Sequence, residues 1–115
     1  METGHAERAR TLRERRAQVD AEEVTFLVEL AAGDDWWSLA EELAPELRAS
    51  PTTVRERIRR AVDLLRRMPR LVESMRAGHL ESYAVHRVLA TTAVLDDAQA
   101  HVVDRLLAEK LAGAG

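Results

Sequence analysis

No proline or glycine occurs in the 28 residues from His5 to Ala32. A stretch of this length can continue as one helix, because no residue in it lacks a backbone donor or favours a left-handed turn. Gly33, followed by Asp34 and Asp35, supplies a stop signal. We therefore predict one long helix over residues 5–32.

The two halves of this predicted helix differ in polarity. The first half is rich in Arg and Glu, and its apolar residues Leu12 and Val19 stand in sevenfold register with Phe26. The second half is apolar on nearly every side. We expect the second half to be buried and the first half to project from the domain or to pair with another chain.

Capping signals and apolar periodicity predict the other helices. Ser50 followed by Pro51 is a strong helix start, Gly78 is a left-handed stop, and Asp96 or Asp97 with Gln99 or Ala100 marks the last start. The predicted helices span Trp36–Arg48 (capped by Asp34 or Asp35), Pro51–Arg67, Arg70–Ala77 and Ser82–Thr92, followed by a helix after Asp96. Their predicted buried residues include Val54, Ile58, Ala61, Val62 and Leu65 in the third helix and Val102, Val103, Leu106, Leu107 and Leu111 in the last. No strand pattern is present, so we predict an all-α fold of five or six helices.

With 115 residues, 46% of them hydrophobic, the chain is long enough for one core. We predict a single domain over 1–115, with 5–32 as the long N-terminal helix and 35–112 as the helical core. The N-terminal residues are too polar for a signal peptide, and no run has the length of a membrane span. We expect a soluble cytoplasmic protein with no membrane partner.

Charge is distributed unevenly along the chain. Residues 51–76 carry 8 basic and 3 acidic side chains, whereas residues 1–50 carry 6 and 12. The positive segment begins with a short turn and a sharply started helix, as in a helix-turn-helix pair that binds the DNA major groove. Arg55 or Arg59 could then pair with guanine, while other side chains could hold phosphates. The candidate DNA-binding residues are Arg48, Thr52, Arg55, Arg59, Arg66, Arg67 and Arg70.

Three features of this segment favour the alternative, a structural helix pair with a solvated arginine face. Arg48 occupies a turn position that usually requires glycine, Pro45 lies inside the first helix, and Glu56 would face DNA phosphates. Arginine-rich helices of this kind are common in proteins that do not touch nucleic acid.

Residue types exclude most catalytic chemistry. There is no cysteine, and the four histidines contain no pair at the i, i+4 spacing of a helical zinc site. Paired acids such as Asp34-Asp35 and Asp96-Asp97 lie at predicted helix starts, where carboxylates act as caps. We predict no metal, no cofactor, no catalytic residue and no small-molecule substrate, hence a protein that is not an enzyme.

Several short motifs occur in a familiar order. They are Ser50-Pro51-Thr52-Thr53-Val54-Arg55-Glu56, the Ala61–Leu65 segment, Met68-Pro69, Ala77-Gly78-His79-Leu80 and the Val85–Val88 segment. In this order the chain resembles the family catalogued as domain of unknown function 222, with Met68, Glu81 and His86 in place of the usual Leu, Ser and Arg.

The resemblance implies a helical region that precedes an HNH endonuclease domain in longer chains of phage or mobile-element type. No asparagine is present to complete an HNH site. We therefore expect a stand-alone small protein or an excised N-terminal domain that does not cleave DNA unaided.

Two hypotheses follow. The first is a non-enzymatic domain that binds double-stranded DNA or targets a partner to it, through the candidate arginines. The second is a protein-interaction or homodimerisation module that uses Leu12, Val19 and Phe26 of the N-terminal helix.

Overall fold

The computed structural model describes residues 2–114, which form six helices and no strand. The helices are α1 (Glu2–Ala31), α2 (Trp36–Leu47), α3 (Pro51–Arg67), α4 (Pro69–Arg76), α5 (Ser82–Thr91) and α6 (Asp97–Ala114). The predicted all-α fold is confirmed. The predicted helices agree with the observed ones to within three residues at each end, and α3 has the predicted bounds.

Local capping explains why α3 and α6 begin where they do. The Ser50 hydroxyl accepts a hydrogen bond from the Thr53 backbone N–H at 3.1 Å, with Pro51 in the first turn. At α6, Asp96 and Gln99 bond reciprocally: the Gln99 N–H donates to Asp96 at 2.8 Å, and the Asp96 N–H donates to Gln99 at 3.1 Å. This reciprocal pair is a capping box. The predicted side-chain cap on α2 is wrong, because Asp35 holds the N-cap position but makes no capping hydrogen bond.

Helices α1 and α3 form the centre of the domain. The 30 residues of α1 extend about 45 Å, close to the 49 Å longest dimension of the molecule. α3 packs against all five other helices. Together they contribute eight of the 17 buried apolar side chains. These are Ala17, Ala21, Val24, Leu27, Val54, Ile58, Ala61 and Leu64; the others, from the rest of the described chain, are Ala40, Ala44, Met68, Leu71, Val72, Met75, Val85, Leu89 and Ala100.

The buried faces of α3 and α6 differ from their predicted stripes. Val62 and Leu65 are each 38% exposed, whereas Leu64 is fully buried. In α6, Val102 and Leu106 are 45% and 54% exposed. For α3 the reason is that other helices pack on several of its sides, so the buried face shifts around the helix axis from one end to the other.

α1 packs closely against the turn that follows the C-terminal end of α4. Gly78 has a φ of 85°, and the N–H groups of Gly78 and His79 bond to the carbonyls of Met75 and Ser74 in a Schellman motif. The positive φ favours glycine at this position, and a Cβ on Gly78 would lie 3.1 Å from the Glu14 Cβ, so that a larger residue would also have to displace the Glu14 side chain. Packing of α1 therefore begins at Glu14, and residues 4–13 are exposed.

The described helices include none with the length and apolar character required to span a membrane.

Candidate interaction surfaces on α1 and α3

Arg55 holds α2 against α3. Its Nε and Nη2 donate to the Trp37 carbonyl at 3.1 and 2.9 Å, and Nη2 lies 3.3 Å from the Glu41 carboxylate. The guanidinium carbon stands 4.3 Å from the Trp37 ring centroid, and only 13% of the side chain is exposed. These contacts occupy the donors that Arg55 would need for a guanine, so its role in this conformation is structural.

Arg59 lies one turn after Arg55, near the rings of both Trp36 and Trp37, but remains exposed. Its guanidinium carbon is 5.1 Å from the Trp37 ring and 5.8 Å from the Trp36 ring. The two rings meet edge to face with centroids 5.5 Å apart, and Trp37 is 50% exposed while Trp36 packs on the core. Cation–π contacts at an exposed site contribute about 0.5–1 kcal/mol. Arg59 can therefore leave the rings at small cost.

Arg66 and Arg67 are adjacent but differ in environment. Arg66 is 57% exposed and pairs with Asp63 and Asp97 at 2.6 and 2.9 Å, and the hydrogen bond to Asp63 together with the charge of Asp97 raises the pKa of Arg66. The side chain of Arg67 is only 8% exposed. It donates to the carbonyls of Thr92 and Leu95 at 2.7 and 3.0 Å. The prediction of Arg67 as a phosphate contact is therefore corrected: its guanidinium is enclosed by the chain itself.

The remaining candidates are exposed: Arg48, Thr52 and Arg70. Arg48 has a φ of 52° and a ψ of 46°, the left-handed conformation that glycine normally supplies after a helix. The N–H groups of Arg48 and Ala49 bond to Pro45 and Ala44, which completes a second Schellman motif. A left-handed non-glycine residue costs about 1–2 kcal/mol.

The second surface is the exposed stripe of α1, defined as Leu12, Val19 and Phe26. These side chains are 55%, 59% and 40% exposed. At 3.6 residues per turn, they lie on the face of α1 opposite the one that buries Ala17 and Ala21. The three predicted residues thus share one exposed face of α1.

A polar cleft of about 260 Å³ lies between α1, α3 and α5. It is lined by charged groups of both signs and by His86, whose Nδ1 is buried and has no hydrogen-bond partner. Burial lowers the pKa of His86, as does the charge of Arg60, while Asp20 and Glu23 act in the opposite direction. His86 is therefore held neutral more strongly than a free histidine. The described residues contain no cluster of His, Asp or Glu that could hold a metal ion.

Sequence reasoning missed Arg55 as the link between α2 and α3. The only signal available was the pairing of an exposed Trp37 with an arginine-rich helix, and periodicity does not show which arginine reaches it. It also missed Asp104, which is 2% exposed and accepts hydrogen bonds from two N–H groups of α4.

A family model described as "Domain of unknown function (DUF222)" matches residues 4–115. Searches of the curated proteins and of the solved structures found no match to this chain.

Proposed function

This chain belongs to the DUF222 family, and from that premise we propose that it is a self-association module in which the exposed stripe of α1 contacts a second copy. The observation that carries the proposal is the position of Leu12, Val19 and Phe26, three large apolar side chains at least 40% exposed on one face. Scattered exposed apolar residues are ordinary, but a stripe in sevenfold register is typical of a helix that pairs with another.

The helix that carries the stripe is already ordered by its own domain. Ala17 and Ala21, on its opposite face, are fully buried against the core. Association therefore does not have to fold α1, and the free energy gained from apolar burial is not offset by helix formation. Burying a side chain of this size contributes about 1.5–3 kcal/mol.

The first prediction concerns Leu12→Asp combined with Val19→Asp. These changes remove the apolar contacts of Leu12 and Val19, and the introduced carboxylates repel those of the second copy. The dimer should therefore become a monomer at high micromolar concentration. The measurement is solution mass by light scattering after size exclusion. Because both positions are exposed, helicity and thermal unfolding of the monomer should hardly change.

A control variant makes one Val→Asp and one Leu→Asp substitution outside α1. These are Val94→Asp and Leu106→Asp, at positions that are 91% and 54% exposed. It should keep the mass of the unsubstituted chain. A monomeric unsubstituted chain, or equal dissociation of both variants, would contradict the proposal.

A second candidate function is a DNA-binding or DNA-targeting accessory domain, of the kind associated with HNH endonucleases in phage or mobile elements. The observation that favours it is Arg48: an exposed arginine in a left-handed turn, where glycine would be more stable. Retained backbone strain is a recognised mark of functional positions. The exposed members of the candidate set are Arg48, Thr52, Arg59, Arg66 and Arg70, of which Arg66 pairs with acids.

The second prediction is for Arg48→Gly combined with Arg59→Ala. Under the DNA proposal, affinity for a random duplex should fall by about tenfold at about 50 mM salt, and the unsubstituted chain should itself lose affinity steeply towards about 200 mM. Arg48→Gly made alone should raise stability by about 0.5–1 kcal/mol, a gain that the loss of the Arg59 cation–π contacts would offset in the double variant. Fluorescence anisotropy and urea unfolding measure the two effects.

The matched control is Arg87→Ala with Arg105→Ala, which removes the same charge from exposed positions on α5 and α6. It should weaken DNA binding far less. No binding by the unsubstituted chain at low salt would refute this second proposal and leave self-association untouched.

A further inference from the structure

We propose that the two copies of α1 pair antiparallel, with Val19 of one copy opposite Val19 of the other on a two-fold axis. This inference rests on the proposed self-association and adds its orientation and register. The surface is isologous, meaning that the same patch is used by both copies.

The stripe is symmetric about Val19. Leu12 precedes Val19 by seven residues, and Phe26 follows it by seven. In an antiparallel two-fold pair, a residue before the centre faces the residue equally far after it. Leu12 of each copy therefore meets Phe26 of the other, and three layers of apolar contacts form: Leu12 with Phe26, Val19 with Val19, and Phe26 with Leu12.

Charged residues flank the stripe in a pattern that has the same symmetry. At 3.6 residues per turn, Arg15 and Glu22 lie along one side of the stripe, while Arg16 and Glu23 lie along the other. All four are exposed, and no salt bridge among the described residues uses any of them. The charges of Arg15, Arg16 and Glu22 are thus available to a partner. Glu23 lies between the stripe and the cleft that contains His86, whose lining it joins, so only its exposed part can face a partner.

Antiparallel pairing places opposite charges together. In this arrangement the two-fold axis places the same flank of both helices on the same side of the dimer. The two helices run in opposite directions along that side. Arg15 then stands beside Glu22 of the second copy, and Arg16 stands beside Glu23 of the second copy. Each dimer gains four such pairs, two on each flank.

Parallel pairing in the same register does the reverse. Here both helices run in the same direction, and the Arg15/Glu22 flank of one copy lies beside the Arg16/Glu23 flank of the other. Arg15 then stands beside Arg16 of the second copy, and Glu22 stands beside Glu23 of the second copy. Like charges at this spacing repel, and such repulsion excludes alternative alignments. The charge pattern therefore selects the antiparallel dimer.

Cross-linking between single cysteines tests the orientation directly, because the chain has no cysteine of its own. Leu12→Cys and Phe26→Cys are made as separate variants of the full chain, with tags of different mass. Each variant is then oxidised alone, and the two are also oxidised as a mixture. In the antiparallel dimer two copies of Cys at position 12 are about 21 Å apart along the axis, too far for a disulfide. We expect a cross-linked product mainly in the mixture.

The other outcomes overturn the inference in distinguishable ways. Efficient cross-linking of each variant alone, with little mixed product, would establish parallel pairing and leave self-association standing. A statistical mixture of all products would mean association without orientation and would also overturn it. A monomeric unsubstituted chain would overturn both proposals.

Charge reversal gives a second measurement without touching the apolar stripe. Arg15→Glu with Arg16→Glu should raise the dimer dissociation constant at least about tenfold, since four attractive pairs become repulsive. Adding Glu22→Arg and Glu23→Arg restores every pair with the signs exchanged, and should return the constant to near its starting value. In a parallel dimer the first change would leave like charges facing each other and would have little effect, which would refute the antiparallel register.

Discussion

Replacing Arg67 by alanine is expected to lower the free energy of unfolding by about 2–4 kcal/mol, because its buried guanidinium is the charged donor to two backbone carbonyls that the fold encloses. Arg67 is the last residue of α3, and its guanidinium joins that helix to the connection between α5 and α6. It bonds to Asp97 at 2.8 Å and to the carbonyls of Thr92 and Leu95. All three acceptors would lose a charged donor at once. Urea unfolding with linear extrapolation measures the loss.

The neighbouring residue provides the control. Arg66→Ala also removes a guanidinium from Asp97, at 2.9 Å, but Arg66 is 57% exposed. Exposed ion pairs contribute little to stability, so this variant should unfold almost like the unsubstituted chain. A loss below about 1 kcal/mol for Arg67→Ala, or equal losses for the two variants, would show that burial at position 67 does not have the role assigned to it.

Sequence reasoning was most successful where structure is local. The start of α3 depends on Ser50 and on a backbone N–H three residues later, and the start of α6 depends on Asp96 and Gln99 over the same distance. Such signals are complete within one turn of the chain. Helix number, helix order and the bounds of α3 could therefore be predicted.

Local signals could not predict which arginines are exposed and which are enclosed by the fold. Arg66 and Arg67 are adjacent and chemically identical, yet one is exposed and the other enclosed. Both bond to Asp97, and the difference is made by the carbonyls of Thr92 and Leu95, which accept from Arg67 alone and lie 25 and 28 residues after it. Arg55 is similar, because its carbonyl partner in α2 lies 18 residues earlier. Long-range packing decides these roles, and periodicity contains no information about it.

The α1 stripe is an intermediate case. The spacing of Leu12, Val19 and Phe26 predicts a shared face, but Phe26 stands in a segment so apolar that burial of the whole segment was the natural expectation. In the structure Leu27 is 4% exposed, whereas Phe26 is 40% exposed. Only the position of α3 and α4 against α1 shows which side of the helix remains open.

Self-association and DNA binding are assigned to separate surfaces, so their tests do not interfere. The stripe of α1 faces away from the core, whereas Arg48 and Arg59 lie on the α2–α3 pair. The aspartate variants of α1 leave the arginine face intact, and the Arg48→Gly change leaves the stripe intact. A loss of DNA binding in the α1 aspartate variants, but not in the Val94→Asp Leu106→Asp control, which adds the same negative charge, would mean that the DNA contact requires a dimer.

Replacing Asp104 by alanine is the second change expected to have a large effect on stability. Asp104 lies in the middle of α6, is 2% exposed, and accepts hydrogen bonds from the N–H groups of Arg70 and Leu71 at 2.9 and 2.8 Å. These are N–H groups of the first turn of α4, whose own N-cap residue, Met68, makes no side-chain capping bond. A carboxylate from another helix thus supplies the cap, and its charge complements the helix dipole.

Alanine at position 104 would leave two N–H groups without an acceptor beside a closed core, and we expect a loss of about 2–5 kcal/mol in urea unfolding. Hydrogen exchange locates the effect: the amides of Arg70 and Leu71 should lose protection before the rest of α4. Asp104→Asn has nearly the same shape and keeps one acceptor oxygen, so its loss should be about half as large. If the asparagine and alanine variants were equally stable, or if those two amides kept their protection, the cap from α6 would not be what orders the start of α4.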